Sequence, residues 1–152
     1  MVPVTDEPWE SPDGKALRTA QRVELDARYG ADLEPGAKPT AEDVAVFVVA
    51  RDEHGRAVGC GALRRLDDRT VEVKRLYAEP VVRGTGVATT LLRALEARAA
   101  DRGWTTLRLE TGDAQPEAIR FWLREGYRPI PPYGHYVGSA ISMCFERTLA
   151  WE

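Results

Sequence analysis

The stretch Val71-Glu-Val-Lys-Arg-Leu-Tyr-Ala-Glu-Pro80, continued by Val81-Val-Arg-Gly-Thr-Gly-Val-Ala88 and a helical run, decides how the rest of the chain is read. Its first part alternates, with Val71, Val73 and Tyr77 expected on one side, and predicts a strand that stops at Pro80. Its second part is a glycine-rich turn. Its third part runs to Gly103 with Val87, Leu91, Leu95 and Ala99 four apart and Leu92 beside them, which gives a helix one apolar face. A strand feeding a glycine turn that opens a helix is suited to an anion. The N–H groups of the first helical turn lack partners, and the helix dipole adds about half a positive charge there. Gly84 and Gly86 carry no Cβ, so a diphosphate can approach the backbone.

Three patterns use such a turn. A P-loop ends in Gly-Lys-Ser/Thr, and this turn has no lysine. A dinucleotide fingerprint requires Gly-x-Gly-x-x-Gly/Ala; Gly84 and Gly86 fit, but Thr89 holds the third place. Glu110 stands at a distance suited to a ribose-binding acid, so nicotinamide-dependent oxidoreduction stays open on this turn alone. The third pattern, Arg/Gln-x-x-Gly-x-Gly/Ala, is met at every required place by Arg83-Gly-Thr-Gly86-Val-Ala88. It resembles the pyrophosphate-binding loop of the GNAT superfamily of acetyl-coenzyme A-dependent N-acetyltransferases.

Working outward, Val44 to Ala50 is a near-continuous apolar run, which predicts a strand covered on both faces. Asp52-Glu-His-Gly55 turns into a strand over Ala57 to Leu66, with Gly59 and Gly61 allowing close packing or a bulge. Asp67-Asp68-Arg69 turns again into the stretch quoted first. Three strands thus meander before the helix, whereas a dinucleotide fold puts its glycine turn after the first strand. Beyond the helix, Trp104 to Thr111 predicts a strand with Leu107 and Leu109 facing the core and Arg108 and Glu110 facing away. Gln115 to Gly126 predicts a helix with Pro116 in its first turn and Gly126 at its stop. Short strands are expected at Tyr127–Ile130 and Ala140–Leu149, around a stiff aromatic loop at Pro131–Tyr136. At the other end, residues 1–14 hold at most a short edge strand at Val2–Val4. A helix is expected over Lys15–Tyr29, entered through Ser11-Pro12-Asp13, ended by Gly30, and with Leu17, Ala20 and Ala27 on one face. Two prolines and two glycines make residues 30–40 a loop, expected to be mobile.

The 152 residues suit one domain, expected over the whole chain, with a real core. A net charge of -3 implies no strong pull toward nucleic acid or an acidic membrane. No apolar run approaches the length of a membrane span, and residues 1–15 lack the apolar segment of a secretory signal, so a cytoplasmic location is expected. The two cysteines, Cys60 and Cys144, each sit in an apolar strand-like run and read as reduced, buried thiols. No metal-binding pattern is present, and none is expected.

The whole order resembles the GNAT fold over roughly residues 41–149: an α/β (α+β) architecture with a central mixed, mostly antiparallel sheet of six to seven strands flanked by helices. Leu-Tyr-Ala-Glu-Pro before the glycine turn, Leu-Glu-Thr-Gly in the next strand and Pro-Glu-Ala-Ile…Gly-Tyr in the following helix carry the resemblance, and Gly-Cys-Gly-Ala-Leu and the closing Ser-x-x-Met/Cys-Phe-Glu-Arg extend it to a subgroup of small bacterial acetyltransferases. The resemblance implies that the acetyl end and pantetheine arm of acetyl-coenzyme A lie along Leu76, Tyr77 and Ala78. It places the pyrophosphate on the N–H groups of Arg83, Gly84, Thr85, Gly86, Val87, Ala88 and Thr89. A backbone N–H near the thioester oxygen would stabilise the charge that develops there.

An acceptor amine must first lose a proton. With a pKa of about 10.4, its free base is scarcer near neutrality by roughly three powers of ten, or about 4 kcal/mol. A carboxylate near the thioester can take that proton. Glu110 occupies the strand position where some family members place this base, and Glu72 on the neighbouring strand is second choice; a histidine is the side-chain type suited to proton transfer near neutral pH, but His135 reads as an incidental loop residue. Many family members protonate the leaving thiolate with a tyrosine in the helix after that strand. Here Trp122 holds that place, and an indole N–H is no acid near neutral pH. Tyr133 and Tyr136 are the nearest replacements in the chain, with solvent as the alternative. Gln115 stands where an asparagine often contacts the pantetheine. The acceptor site is expected between the N-terminal helix, the loop at 30–40 and the Tyr133–Tyr136 loop, with Arg64, Arg65, Lys74 and Arg75 able to meet an acceptor carboxylate or to form a solvated face. The expected activity is acetyl transfer to a small-molecule primary amine in a ternary complex. The alternative is a domain that binds acyl-coenzyme A as a regulatory module, and pairing of the C-terminal strands across a homodimer is open.

Overall fold

The computed structural model describes residues 2–149. Its strands are β1 (Val4–Asp6), β2 (Val44–Arg51), β3 (Ala57–Arg65), β4 (Thr70–Ala78), β5 (Thr106–Gly112), β6 (Arg128–Ile130) and β7 (Ser142–Thr148), and its helices are α1 (Pro12–Tyr29), α2 (Val87–Asp101) and α3 (Pro116–Arg124). The strands form one sheet in the order β1-β2-β3-β4-β5-β7-β6. Every neighbouring pair is antiparallel except β4 with β5. The mixed, mostly antiparallel sheet with flanking helices is therefore the one the sequence indicated.

The apolar run of β2 divides between two clusters. Val46 and Val48 join Leu91, Leu92 and Leu95 of α2 on one face, while Phe47 and Val49 join Leu17 of α1 on the other. Burial on both faces removes the usual alternation of strand polarity. A Cβ on Gly59 would lie 2.8 Å from both the Leu91 side chain and the Tyr77 carbonyl, and one on Gly61 would lie 2.9 Å from Leu95, so these glycines let α2 close onto β3.

Two local expectations are corrected. Tyr77 does not share a face with Val71 and Val73: the two valines enter the α2 cluster, and Tyr77 packs on the α1 side. The cause is a bulge. Ala62 pairs with Lys74 and Cys60 with Tyr77, so two steps on β3 face three on β4. Arg75 there takes the left-handed conformation (φ 58), the only described non-glycine residue to do so. An extra residue in one strand reverses which face later side chains occupy. The β4–β5 ladder also stops early, at Glu72 opposite Arg108, so the two strands diverge beyond it.

The second correction concerns α1. It is entered through Ser11-Pro12-Asp13 as expected, with Ser11 as the cap, whose Oγ accepts from the Gly14 N–H at 3.2 Å; what differs is the face it turns inward. Ala20 and Ala27 are exposed; the inward side carries Leu17, Gln21, Arg22, Leu25 and Tyr29. A mostly polar inward face is what a helix needs when it lines a cavity and not a core. Smaller shifts occur at the edge strand, which forms at Val4–Asp6 and not Val2–Val4, because it is there that the chain pairs with Val48–Ala50.

Candidate active site

The divergence of β4 from β5 opens the sheet, and α1 and α3 flank the opening. Two adjoining cavities result. One, of about 510 Å³, runs from the glycine turn past Leu76, Tyr77 and Ala78 to α3. The other, of about 150 Å³, lies beyond it toward the end of β5 and the loop after α1. Gln21, Leu25, Leu76, Gln115, Ala118 and Trp122 line both.

The larger cavity brings together Leu76, Tyr77, Ala78, Arg83, Gly84, Gly86, Val87, Ala88, Thr89, Gln115 and Trp122. Of the expected cofactor residues only Thr85 is absent from its lining; the Thr85 hydroxyl is turned back onto the Val82 carbonyl at 2.5 Å. Gly84 (φ 81) and Gly86 (φ 93) are left-handed, and a Cβ on either would meet no atom within 4 Å. Glycine is thus required there by conformation, and the space above the turn is left open. Gly86 caps α2, and the N–H groups of Val87, Ala88 and Thr89 have no acceptor inside the helix. These features fit a diphosphate. Arg83 does not reach into the turn: its Nε donates to the Ala78 carbonyl at 3.0 Å and its Nη2 to Glu24 at 2.8 Å, tying the end of β4 to α1.

Trp122 serves two purposes. It is 6% exposed, meets Phe121 and Tyr127 edge-on at 5.1 and 5.0 Å, and still lines both cavities.

The smaller cavity contains Glu110. Burial pushes its carboxyl above the ordinary range, partly offset by a hydrogen bond from Ser142. The Ser142 Oγ lies 2.5 Å from Glu110 Oε2 and 2.8 Å from the Ser139 Oγ. The cavity is closed on the β5 side by Tyr29, which reaches over Gly112: a Cβ on Gly112 would fall 1.8 Å from the tyrosine oxygen. The Tyr29 hydroxyl accepts the Ala114 N–H at 3.1 Å.

Glu72, Tyr133 and Tyr136 are brought together, but elsewhere. The Tyr133 and Tyr136 hydroxyls donate to Glu72 Oε2 at 2.7 and 2.8 Å, and Arg64 Nη2 donates to Oε1 at 2.8 Å. Burial opposes the Glu72 charge, but Lys74, the two hydroxyls and Arg64 outweigh it and hold this carboxyl below its usual range. Burial, followed by the Glu72 charge, pushes both tyrosines far above theirs. The loop at 30–40 reaches the smaller cavity through Leu33 and Glu34, beside Ile141, whereas neither tyrosine expected opposite it lines either cavity. The turned-in hydroxyls are the reason.

Of the four basic residues singled out in the sequence, Arg65 faces outward to Asp68 at 2.8 Å and Arg64 serves Glu72. Lys74 and Arg75 converge on Glu34 in the smaller cavity. The residues that sequence reasoning passed over are on α1 and α3: Gln21, Glu24, Phe121 and Arg124. Gln21 is the most informative. Its Nε2 donates to the Leu76 carbonyl at 3.1 Å, while its buried Oε1 has no partner among the described residues. Its polarity on an inward-facing helix position was the available signal.

Neither thiol faces the cavities. Cys60 and Cys144 are free and buried, and burial pushes Cys60 up to about 12. Among the described residues no group of acidic, histidine and cysteine side chains is arranged to hold a metal, and no helix is long and apolar enough to cross a membrane.

The fold and its sequence have known counterparts. The profile of the acetyltransferase (GNAT) family matches residues 6–127. An IAA acetyltransferase of Azospirillum brasilense is 34% identical over 119 residues, spanning 78% of this chain and 74% of that protein. The crystal structure of a Klebsiella pneumoniae protein assigned to the acyl-CoA N-acyltransferases superposes with a TM-score of 0.83 at 34% identity, covering 99% of both chains. A GNAT acetyltransferase from Elizabethkingia anophelis, solved with acetyl-CoA bound, shares the fold at a TM-score of 0.73 and 15% identity over 97% of this chain and 98% of its own. With a glycine turn left open ahead of a helix, a split sheet and this family match over most of its length, the chain belongs to the GNAT acetyltransferase family and is an acetyl-CoA-dependent acyltransferase.

Proposed function

We propose that the protein acetylates a primary amine of a small molecule, by direct attack of the amine within a ternary complex. The observation that carries this reading is the common wall of the two cavities: the glycine turn lines one, Glu110 lines the other, and six residues line both. Acetyl-CoA would supply an activated acetyl thioester. The turn from Gly84 to Thr89 would hold its pyrophosphate, and Leu76 to Ala78 and Gln115 its pantetheine arm. The orphaned Gln21 carbonyl, at the junction, is an acceptor for an N–H of the arm or of the amine.

Glu110 acts as the base in this reading. A carboxyl raised by burial is a better match to an amine than an ordinary one, because general-base efficiency grows as the pKa approaches the working pH. The Ser142 hydroxyl orients it. Coenzyme A leaves as a thiolate, a far weaker base than an alkoxide, which needs little acid assistance. Tyr133 and Tyr136 hold Glu72 and leave that proton to solvent. No buried thiol faces the cavities to form an acyl-enzyme, which favours direct attack.

The test is thiol release from acetyl-CoA across an amine panel, with wild type and Glu110→Gln, alongside calorimetric titration of coenzyme A. Turnover that depends on Glu110 supports the reading. Tight coenzyme A binding with no turnover for any amine would replace it with an acyl-CoA-binding module.

A further inference from the structure

The smaller cavity contains a second feature besides Glu110, and it concerns the acceptor. The Glu34 carboxylate, 9% exposed, is gripped on both oxygens. Arg75 Nη1 donates to Oε2 at 2.8 Å and Arg75 Nη2 to Oε1 at 2.9 Å, the parallel fork that arginine forms with a carboxylate. Lys74 Nζ adds a third bond at 2.9 Å, and Arg22 Nη1 approaches at 3.4 Å. Burial opposes the Glu34 charge, yet Arg75 and Lys74 keep it far below the usual carboxylate range. Three cations on the cavity wall thus form a carboxylate receptor. Their anion comes from residues 30–43, which contain no helix or strand.

The mounting of these groups separates receptor from occupant. Lys74 and Arg75 are built into β4, and Arg75 is held at φ 58 in the bulge, a conformation that costs energy and persists only where the surroundings enforce it. Arg22 is fixed on α1. Glu34 hangs from the loop, beside a Leu33 that lines the cavity while 45% exposed. Lys38 Nζ, on the same loop, also donates to Glu34 Oε1 at 3.3 Å, so the carboxylate is already shared among two ammonium and two guanidinium groups and is no free partner for an acceptor amine. Whatever replaces it must be an anion, since withdrawing it alone leaves Lys74 and Arg75 buried without their partner.

We propose that the acceptor is an amine that also bears a carboxylate, an amino acid in the broad sense, whose carboxylate takes the place of Glu34 on Arg75, Lys74 and Arg22 while its amine faces Glu110. This deepens, and rests on, the acetyl-transfer reading above. Glu34 then acts as an internal stand-in that keeps the receptor's cations partnered and excludes acceptors lacking the carboxylate.

The experiment uses product binding, which requires no turnover. N-acetyl amino acids and the matching N-acetyl amino amides are titrated by calorimetry into wild type, Glu34→Gln and Arg75→Gln, with thermal melts confirming folding. The acids are expected to bind wild type at least tenfold tighter than the amides. Glu34→Gln should tighten the acids severalfold and leave the amides unchanged, and Arg75→Gln should erase the difference. Equal binding of acids and amides to wild type, which needs no variant, overturns the proposal. So does Glu34→Gln binding acids no tighter. A parallel kinetic arm keeps the two readings separate. Acetylation of amides as readily as acids sinks the carboxylate site while acetyl transfer stands. Selective binding of the acids with no acetylation of any amine does the reverse.

Discussion

The Ser142 hydroxyl lies 2.5 Å from the Glu110 carboxylate across the β5–β7 pair, and it is the only side chain that donates to Glu110 among the described residues. Burial raises the Glu110 pKa, and this bond restrains the rise. Ser142→Ala is therefore expected to move the rising limb of the pH–rate profile further up, with kcat at high pH largely kept. Glu110→Gln should remove that limb and lower kcat by about 10²–10⁴-fold. Profiles of kcat against pH for the three proteins check both.

The same carboxylate carries a stability cost. A folded pKa above the unfolded one means that the native state binds the proton more tightly, so the contribution is favourable below the unfolded value. It is lost as pH rises through the raised folded value. Near neutrality the buried charge is a liability. Glu110→Gln is expected to melt higher than wild type at pH 7, with the gap narrowing toward pH 4. A variant that is less active but no more stable would count against the burial argument.

Glu72 has the opposite sign. Its depressed pKa contributes stability above the unfolded value, and this is lost as pH falls through the folded one. Glu72→Gln takes from Arg64 its buried counter-charge, leaving only the more exposed Asp43 at 3.6 Å, and should cost about 3 kcal/mol in denaturant unfolding. Tyr133→Phe removes one charged hydrogen bond and Tyr136→Phe removes two, the second accepted from Lys74 at 3.2 Å; each bond lost should cost about 1.5–3 kcal/mol with kcat nearly unchanged. A hundredfold fall in kcat for either would restore that tyrosine as the acid.

Gly84 and Gly86 can be separated from ordinary turn glycines by a control. Gly103 also has a left-handed φ of 79 and open space at its Cβ, but it lies outside both cavities. Alanine at any of the three should cost about 1–2 kcal/mol of stability. Only at Gly84 and Gly86 should the KM for acetyl-CoA also rise, by tenfold or more, since only there does the new methyl face the diphosphate.

Gly112→Ala places a Cβ 1.8 Å from the Tyr29 hydroxyl and must displace that ring. Destabilisation of about 1–3 kcal/mol is expected, together with a raised acceptor KM and an unchanged acetyl-CoA KM. Adding Tyr29→Ala should recover part of the stability but not the acceptor KM, because the wall of the smaller cavity is then gone.

Much of this was legible along the chain. The glycine turn and its helix were readable because their requirements are local: left-handed backbone, an apolar repeat every three to four residues, and unpaired N–H groups at one helix end. The double burial of β2 was readable from its unbroken apolar run. The pairing of Glu72 with Tyr133 and Tyr136 was not, since these residues lie 61 and 64 positions apart and only the closing of the sheet joins them. The face of Tyr77 was misread for a different reason. A period of two is a rule for an uninterrupted strand, and nothing in Lys74-Arg75-Leu76 announces a bulge.

What the sequence by itself determined was the order of elements, the family and the glycine turn that opens α2, all encoded in short-range pattern and motif. Tertiary structure alone decided which charges meet. Glu110 and Glu72 are both strand carboxylates with similar neighbours in sequence. One is raised by burial beside a single serine, and the other is saturated by an arginine and two tyrosines. The strength of an ionisable group depends on its desolvation and on its nearest partners in space, and both are fixed only when distant segments pack.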